Sequence, residues 1–335
     1  MSKVKLALLG AGEVAQNFHL PILSGLANVE LSVLGNRTIR KARTLADKYG
    51  IAKAVSSVEE IAEDNNVQAV VLSTPTNVHY EQAKILIQSG KHLLIEKPVV
   101  SNSREAVSLA ELADEHKVKV MVGMNHRFRS DAKMLKNYSA NGNLGDLYFI
   151  KSGWSQKKEG LKWQEKIERT GGKGVLTELG LSLIDSILWI MDFKEVASVR
   201  ATNFHRISDA YEDISVARID FKDGSVATID TSWAIYSGET NYYCNVYGNT
   251  GSARVNPFQL NTSGGDIMKE NQSGHLKTNY SLHKKSYASE LKHFIYTVQG
   301  HLPLMSNLKE ASVSLKILEG LYTSAETGRE VVIIY

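Results

Sequence analysis

The run Gly10-Ala11-Gly12-Glu13-Val14-Ala15, set directly behind the apolar stretch Val4–Leu9 and ahead of a helix-like segment, constrains this chain more than any other feature. A strand that breaks into closely spaced glycines and resumes as a helix opens a β-α-β unit. Gly10 permits the tight turn, Gly12 lets backbone amides approach a pyrophosphate, and Ala15 is small enough for the helix to lie close on the strand. Glu13 and Val14 complete the turn, where the amides and dipole of the helix N-terminus favour negative charge. The plainer alternative is a glycine turn in some other β-α unit. The series of units that follows favours a dinucleotide site.

Residues 30–35, 69–73, 92–95 and 119–123 are further short runs rich in Val, Ile and Leu, separated by segments of helical period. One such segment covers about 78–88, with Gly90 as its stop. The pattern predicts a doubly wound, Rossmann-type α/β domain over 1–125 with a parallel sheet. Beyond it, residues 147–152, 198–203, 215–221, 225–233 and 241–247 alternate in the manner of antiparallel strands, and Lys222-Asp223-Gly224 suits a hairpin turn. Helices are expected over 175–191 and Leu308–Thr327, and a polar loop over 261–277. The second domain, 126–335, is thus read as α+β on a largely antiparallel open sheet.

A chain of 335 residues, 43% of them hydrophobic, suffices for two domains of roughly 150 residues each. The net charge of +3 is spread along the sequence, which speaks against nucleic acid and anionic membranes and for a small-molecule partner. No apolar run of about 18 residues and no signal-peptide pattern is visible, so the expectation is a cytoplasmic protein. Cys244, the sole cysteine, excludes an internal disulfide and suits a reducing compartment. No His-x-x-x-His or Cys-x-x-Cys spacing, Walker loop or Ser-His-Asp arrangement is present, and no metal is expected.

The second strand ends in Leu34-Gly35-Asn36-Arg37-Thr38. An NAD site usually carries an acid there, about 20 residues past the glycines, to grip the ribose 2′-hydroxyl. Arg37 can instead pair with a 2′-phosphate and stack on adenine, while Asn36 and Thr38 offer hydrogen bonds. NADP(H) is therefore favoured, with NAD(H) left open, against the plain reading of Arg37 as a solvated loop residue. Glu96-Lys97-Pro98 closes the strand at 92–95, at the carboxyl end where open α/β sheets bind ligands. Near a cationic nicotinamide ring the pKa of Lys97 would fall, letting it exchange a proton with a substrate hydroxyl. A lysine in a surface ion pair is the alternative.

Taken in order, the glycine run, Ser73-Thr74-Pro75-Thr76-Asn77-Val78-His79, Glu96-Lys97-Pro98, Gly123-Met124-Asn125-His126-Arg127-Phe128, Gly171-Gly172-Lys173-Gly174-Val175-Leu176 and Tyr322 to Arg329 make a chain that resembles the Gfo/Idh/MocA oxidoreductase family over nearly its whole length. The resemblance implies a Rossmann domain, a second domain with an open sheet through which homodimers or homotetramers form, and a sugar-like substrate bound between the domains. It further implies that Thr74, Pro75, Asn77 and His79 line the cofactor beside Glu96 and Lys97, and that Lys97 is catalytic. A cis bond before Pro98 and substrate contacts from Asn125 and Arg127 belong to the same expectation.

In dehydrogenases of that family the helix after the glycine run reads Asp-x-Gly-x-His-x-x-Asp; here it reads Glu178-Leu179-Gly180-Leu181-Ser182-Leu183-Ile184-Asp185. Helical offsets of four and seven put Glu178, Ser182 and Asp185 on one face. A serine does not titrate near neutrality, so Ser182 would orient substrate while Lys97, helped by Glu178, moves the proton. His126 and His205 are possible substitutes for the missing histidine, although packing or surface roles suit them better. Trp163 would stack on a sugar or fill the core, and Arg169 would pair with an acidic substrate group. Two other functions fit the same motifs: a nicotinamide-assisted glycosidase, and a non-catalytic cofactor sensor.

Overall fold

The computed structural model of the chain describes residues 3–158, 162–234, 240–263, 265, 267–269 and 279–335. Two units emerge, Met1–Asn125 with Tyr287–Ser312, and His126–Ser286 with Val313–Tyr335. The expected second domain runs unbroken from 126 to 335; instead, residues 287–312 belong with the first unit.

In the first unit β1 (Val4–Leu9), β2 (Val29–Gly35), β3 (Lys53–Val55), β4 (Ala69–Leu72), β5 (His92–Glu96) and β6 (Val120–Gly123) pair in parallel, in the order β3-β2-β1-β4-β5-β6. A parallel sheet is buried on both faces and its strands lose the alternation of half-exposed ones. Accordingly every residue of β4 and β6 is buried. The connecting helices are α1 (Leu20–Ser24), α2 (Ile39–Tyr49), α3 (Glu59–Ala62), α4 (His79–Gln88) and α5 (Ser103–Glu115). α5 starts where the Asn102 side chain accepts the Glu105 amide at 3.0 Å, and α2 stops at Gly50, whose φ of +66° suits a left-handed cap. Residues 287–312 join this sheet because the Val122 amide donates to the Ser306 carbonyl at 2.8 Å and the Lys119 ammonium donates to the Thr297 carbonyl. β1 and β4 are neighbours at the point where the strand order reverses, so the loops leaving them flank the crevice in which such sheets bind ligands.

The second unit contains α6 (Ser130–Ala140), β7 (Leu147–Ser155), α7 (Lys162–Thr170), a π-helical turn at Leu176–Gly180 and α8 (Leu181–Ile190). There follow β8 (Val196–Phe204), β9 (Ile214–Phe221), β10 (Val226–Ser232), β11 (Asn241–Gly248), β12 (Gly251–Val255), β13 (Gln259–Thr262) and β14 (Ile267–Lys269). Long helices α9 (Asn279–Val298) and α10 (Leu308–Thr327) each cross the divide between the units, and β15 (Val331–Val332) ends the fold. The sheet order is β14-β13-β12-β11-β7-β10-β9-β8-β15, antiparallel apart from the parallel pair β7 and β10. The hairpin at Lys222-Asp223-Gly224 forms between β9 and β10, with Gly224 at φ +86°. The loop expected over 261–277 is corrected in part. Residues 261–262 lie in β13 and 267–269 form β14, while 264, 266 and 270–277 fall outside the described residues. These edge strands are held by ladder hydrogen bonds and lack the apolar pattern by which a strand is recognised.

Candidate active site

In the first unit, candidate residues gather at the carboxyl ends of β1, β4 and β5. Gly10 has φ +106°, and a Cβ there would stand 2.3 Å from the Ser73 carbonyl oxygen and 2.8 Å from the Thr74 nitrogen. Only glycine lets the turn nest on the loop after β4. The Gly10 amide donates to the Gly35 carbonyl at 2.8 Å, and the Ser73 amide to the Leu9 carbonyl at 2.7 Å, so three strand ends are tied together. A Cβ on Gly12 would meet only the Ser73 oxygen, at 4.0 Å. That open, amide-lined turn fits the pyrophosphate of a dinucleotide. Glu13 is exposed, Val14 half-buried, and Ala15 fully buried. Asn36 accepts the Ala11 amide at 3.3 Å and donates to the Thr38 carbonyl at 3.1 Å, bracing the glycine turn with the side chain expected to meet the ribose. Arg37 and Thr38 are exposed, as are Arg40 and Lys41 just beyond them.

In the loop after β4, Thr74 donates its hydroxyl to Gln82 at 2.6 Å, while Pro75 and Asn77 are exposed. His79 is 1% exposed, with Nε2 2.8 Å from the Thr74 carbonyl and Nδ1 3.1 and 3.2 Å from the carbonyls of Pro98 and Val99. It braces the loop after β4 against the loop after β5, and burial lowers its pKa. Glu96 ends β5, Lys97 is half-buried, and the Lys97–Pro98 bond is cis, as the resemblance implies. Glu96 Oε1 lies 2.8 Å from Nε2 of His19, a fully buried residue on the π-helical turn Ala15–His19 that the sequence reading passed over. Asn125 is buried directly behind β6.

In the second unit, candidate residues surround the π turn that leads into α8. Gly174 allows this approach, because a Cβ there would lie 2.1 Å from Cδ of Glu212. Glu212 accepts the Tyr322 hydroxyl at 2.6 Å and the Leu176 amide at 3.2 Å, and burial pushes its carboxyl above the ordinary value. Thr177 in turn donates to the Tyr322 oxygen at 2.8 Å. The glycine run and the Tyr322 segment thus anchor the start of the helix.

Glu178 is half-exposed and pairs with Lys158, whose ammonium sits 3.9 Å from the ring centroid of Trp233. Lys158 was not anticipated, since a lysine beyond a strand end carries no motif. Ser182 is buried and Asp185 is 1% exposed. Glu178 lies within the π turn, while Ser182 and Asp185 follow it on α8. Arg127, expected to hold substrate, makes a two-point bond to Asp185 at 2.8 and 2.6 Å, both side chains being 1% exposed. Trp163 is packed in an apolar cluster with Ile167, Val175, Leu179 and Trp233, which favours its core reading. Arg169 is exposed in the last turn of α7. His126 is buried against Trp154 and Tyr242, at centroid distances of 4.7 and 4.9 Å, and His205 is exposed.

Residues 4–124 match the GFO_IDH_MocA model described as an oxidoreductase family with an NAD-binding Rossmann fold, and residues 139–333 match its C-terminal alpha/beta domain. D-glucoside 3-dehydrogenase of Escherichia coli is 24% identical over 98% of this chain and 97% of its own length. The scyllo-inositol 2-dehydrogenase (NADP(+)) of Bacillus subtilis is 32% identical, over 55% of this chain and 51% of that protein. Among solved structures, GenD2 from gentamicin A biosynthesis in complex with NAD superposes with a TM-score of 0.86 at 23% identity, covering 100% of this chain and 97% of that one.

Proposed function

The chain belongs to the Gfo/Idh/MocA oxidoreductase family, and on that premise we propose that it transfers hydride between NADP(H) and a hydroxyl-bearing carbon of a sugar, cyclitol or glycoside, with Lys97 exchanging the proton. The observation that carries this reading is the gathering of the Gly10 turn, the 73–77 loop and half-buried Lys97 at the carboxyl ends of β1, β4 and β5. The nicotinamide ring, when bound, takes up or gives the hydride. Gly10 and Gly12 admit the pyrophosphate, Ala15 lets the following helix approach, and Thr74, Pro75, Asn77 and Glu96 border the same crevice. Near a cationic ring the Lys97 amine would hold its proton less tightly, so it could accept the hydroxyl proton as hydride leaves and return it in the reverse direction.

Support for a ring polyol comes from the relatives named for D-glucoside and scyllo-inositol. Glu178 and Lys158 offer complementary hydrogen-bonding groups to hydroxyls, and Ser182 adds none that titrates. Arg37, with no acid at 36–38, supports NADP(H) over NAD(H), which remains the second cofactor. The reading extends to a homodimer or homotetramer in the cytoplasm. Among the described residues no helix is long and apolar enough to cross a membrane, and Cys244 is buried.

Titration with NADPH and NADH, followed by a turnover screen of glucosides and inositols, tests the reading. NADPH should bind about tenfold tighter, and Arg37→Ala should erase that margin, the worth of about one charge-assisted contact. Lys97→Met should lower turnover about 10²- to 10⁴-fold with cofactor affinity nearly unchanged. Equal affinities would refute the preference for NADP(H), and undiminished turnover would refute the role of Lys97.

A further inference from the structure

We propose that His19 is a positioning residue of the hydride-transfer site, acting on Lys97 through Glu96; the proposal rests on the reading of Lys97 as the acid/base. His19 is 0% exposed, so the partner that each of its ring nitrogens finds matters to how the ring is held. Its Nε2 lies 2.8 Å from Glu96 Oε1, whereas Nδ1 is buried with no hydrogen-bond partner among the described residues. That asymmetry selects a tautomer. A hydrogen on Nδ1 would be a buried donor with nothing to receive it, so the neutral ring carries its hydrogen on Nε2 and donates it to the carboxylate. The ring is steadied edge-on by Tyr287, at 5.9 Å between centroids, and Tyr287 in turn stacks on Phe18 at 4.3 Å.

Gly123 on β6 makes room for Glu96: a Cβ there would stand 3.3 Å from both Cα and Oε2 of Glu96. Lys97 therefore sits between two anchored neighbours. Glu96 is held by His19, and the Pro98 carbonyl is held by His79 at 3.1 Å. Each histidine closes a short helical turn behind a segment assigned to the dinucleotide, His19 at the end of Ala15–His19 behind the glycine turn and His79 behind Thr76–Val78. The π-helical turn Ala15–His19, a geometry frequent at functional sites, carries His19 to the end of β5. Seating the cofactor on either loop is thereby transmitted to the backbone on both sides of Lys97.

The test compares the full-length wild-type protein with His19→Leu, which keeps bulk but removes the donor, and with His19→Gln, which keeps an N–H near the position of Nε2. Each is reductively methylated with ¹³C-formaldehyde. The Lys97 dimethylamino signal, assigned by its loss in Lys97→Arg, is followed by NMR with and without NADP⁺. Wild type and His19→Gln should give one narrow Lys97 signal that shifts on adding NADP⁺. In His19→Leu the signal should sit among those of exposed lysines and ignore the cofactor. Hydride transfer from the polyol found in the screen to NADP⁺ should fall about tenfold or more while cofactor affinity stays within about threefold, as expected when a reacting group is misplaced and binding is intact. A His19→Leu protein with the wild-type signal and rate overturns the proposal. If His19→Leu does not fold, His19→Asn, whose amide is too short to reach Glu96, decides between the same two outcomes. Failure of the Lys97 reading would show separately, as turnover retained in Lys97→Met.

Discussion

His79 illustrates at the residue scale how burial decides what an ionisable ring does. Three backbone carbonyls surround its nitrogens and favour protonation, yet desolvation outweighs them and lowers the pKa from 6.5. The folded ring therefore stays neutral where the unfolded chain takes up a proton. Its contribution to stability is complete above 6.5 and is lost as pH falls through that value towards the lowered folded one. The thermal midpoint of the wild type should drop more steeply between about pH 7.5 and 5.5 than that of His79→Gln, which has no group titrating there. Parallel slopes would exclude His79 as the group responsible. Gly10 was readable from the sequence because the left-handed turn it makes follows from a local motif. His19 was not, since its meaning lies in a carboxylate that is distant along the chain.

At the scale of the element, α8 and the π turn before it show a polar frame inside an apolar segment. Arg127 and Asp185 are buried together, and removing one partner leaves the other charge without compensation. Arg127→Met should destabilise the protein by about 3–5 kcal/mol in urea unfolding, while Arg127→Met with Asp185→Leu should recover most of that loss. A single variant as stable as the wild type would mean that the pair does not hold α8 in the second unit. The same frame explains why 175–191 was legible as a helix while the π turn at its start was not. Periodicity reports the apolar stripe, whereas the turn at Leu176–Gly180 depends on Gly174 making room for Glu212.

For the whole molecule, one face of the nine-stranded sheet carries Phe149 stacked on Tyr247 at 5.7 Å, with Val226 paired opposite Phe149. All three are half-exposed apolar or aromatic side chains on adjacent strands, the sort of patch that a second copy can cover. Light scattering should give a mass of two or four times 37.0 kDa, and Phe149→Asp with Tyr247→Asp should return the monomer. A monomeric wild type would refute the expected self-association.

The sequence by itself determined the parallel sheet, the glycine turn, the position of Lys97 at a strand end and most strands of the second sheet. Each of these is written in short-range pattern: strand period, glycine spacing and turn residues. Only the tertiary structure decided that Arg127 and Asp185 serve each other, that Trp163 is packed in an apolar cluster, that Lys158 joins Glu178, that His79 and His19 brace the strand ends, and that residues 287–312 return to the first unit. The physical reason is common to all five. A polar or aromatic side chain has many partners available, and which one it takes is settled by desolvation and close packing between segments far apart in the chain, which no local pattern records.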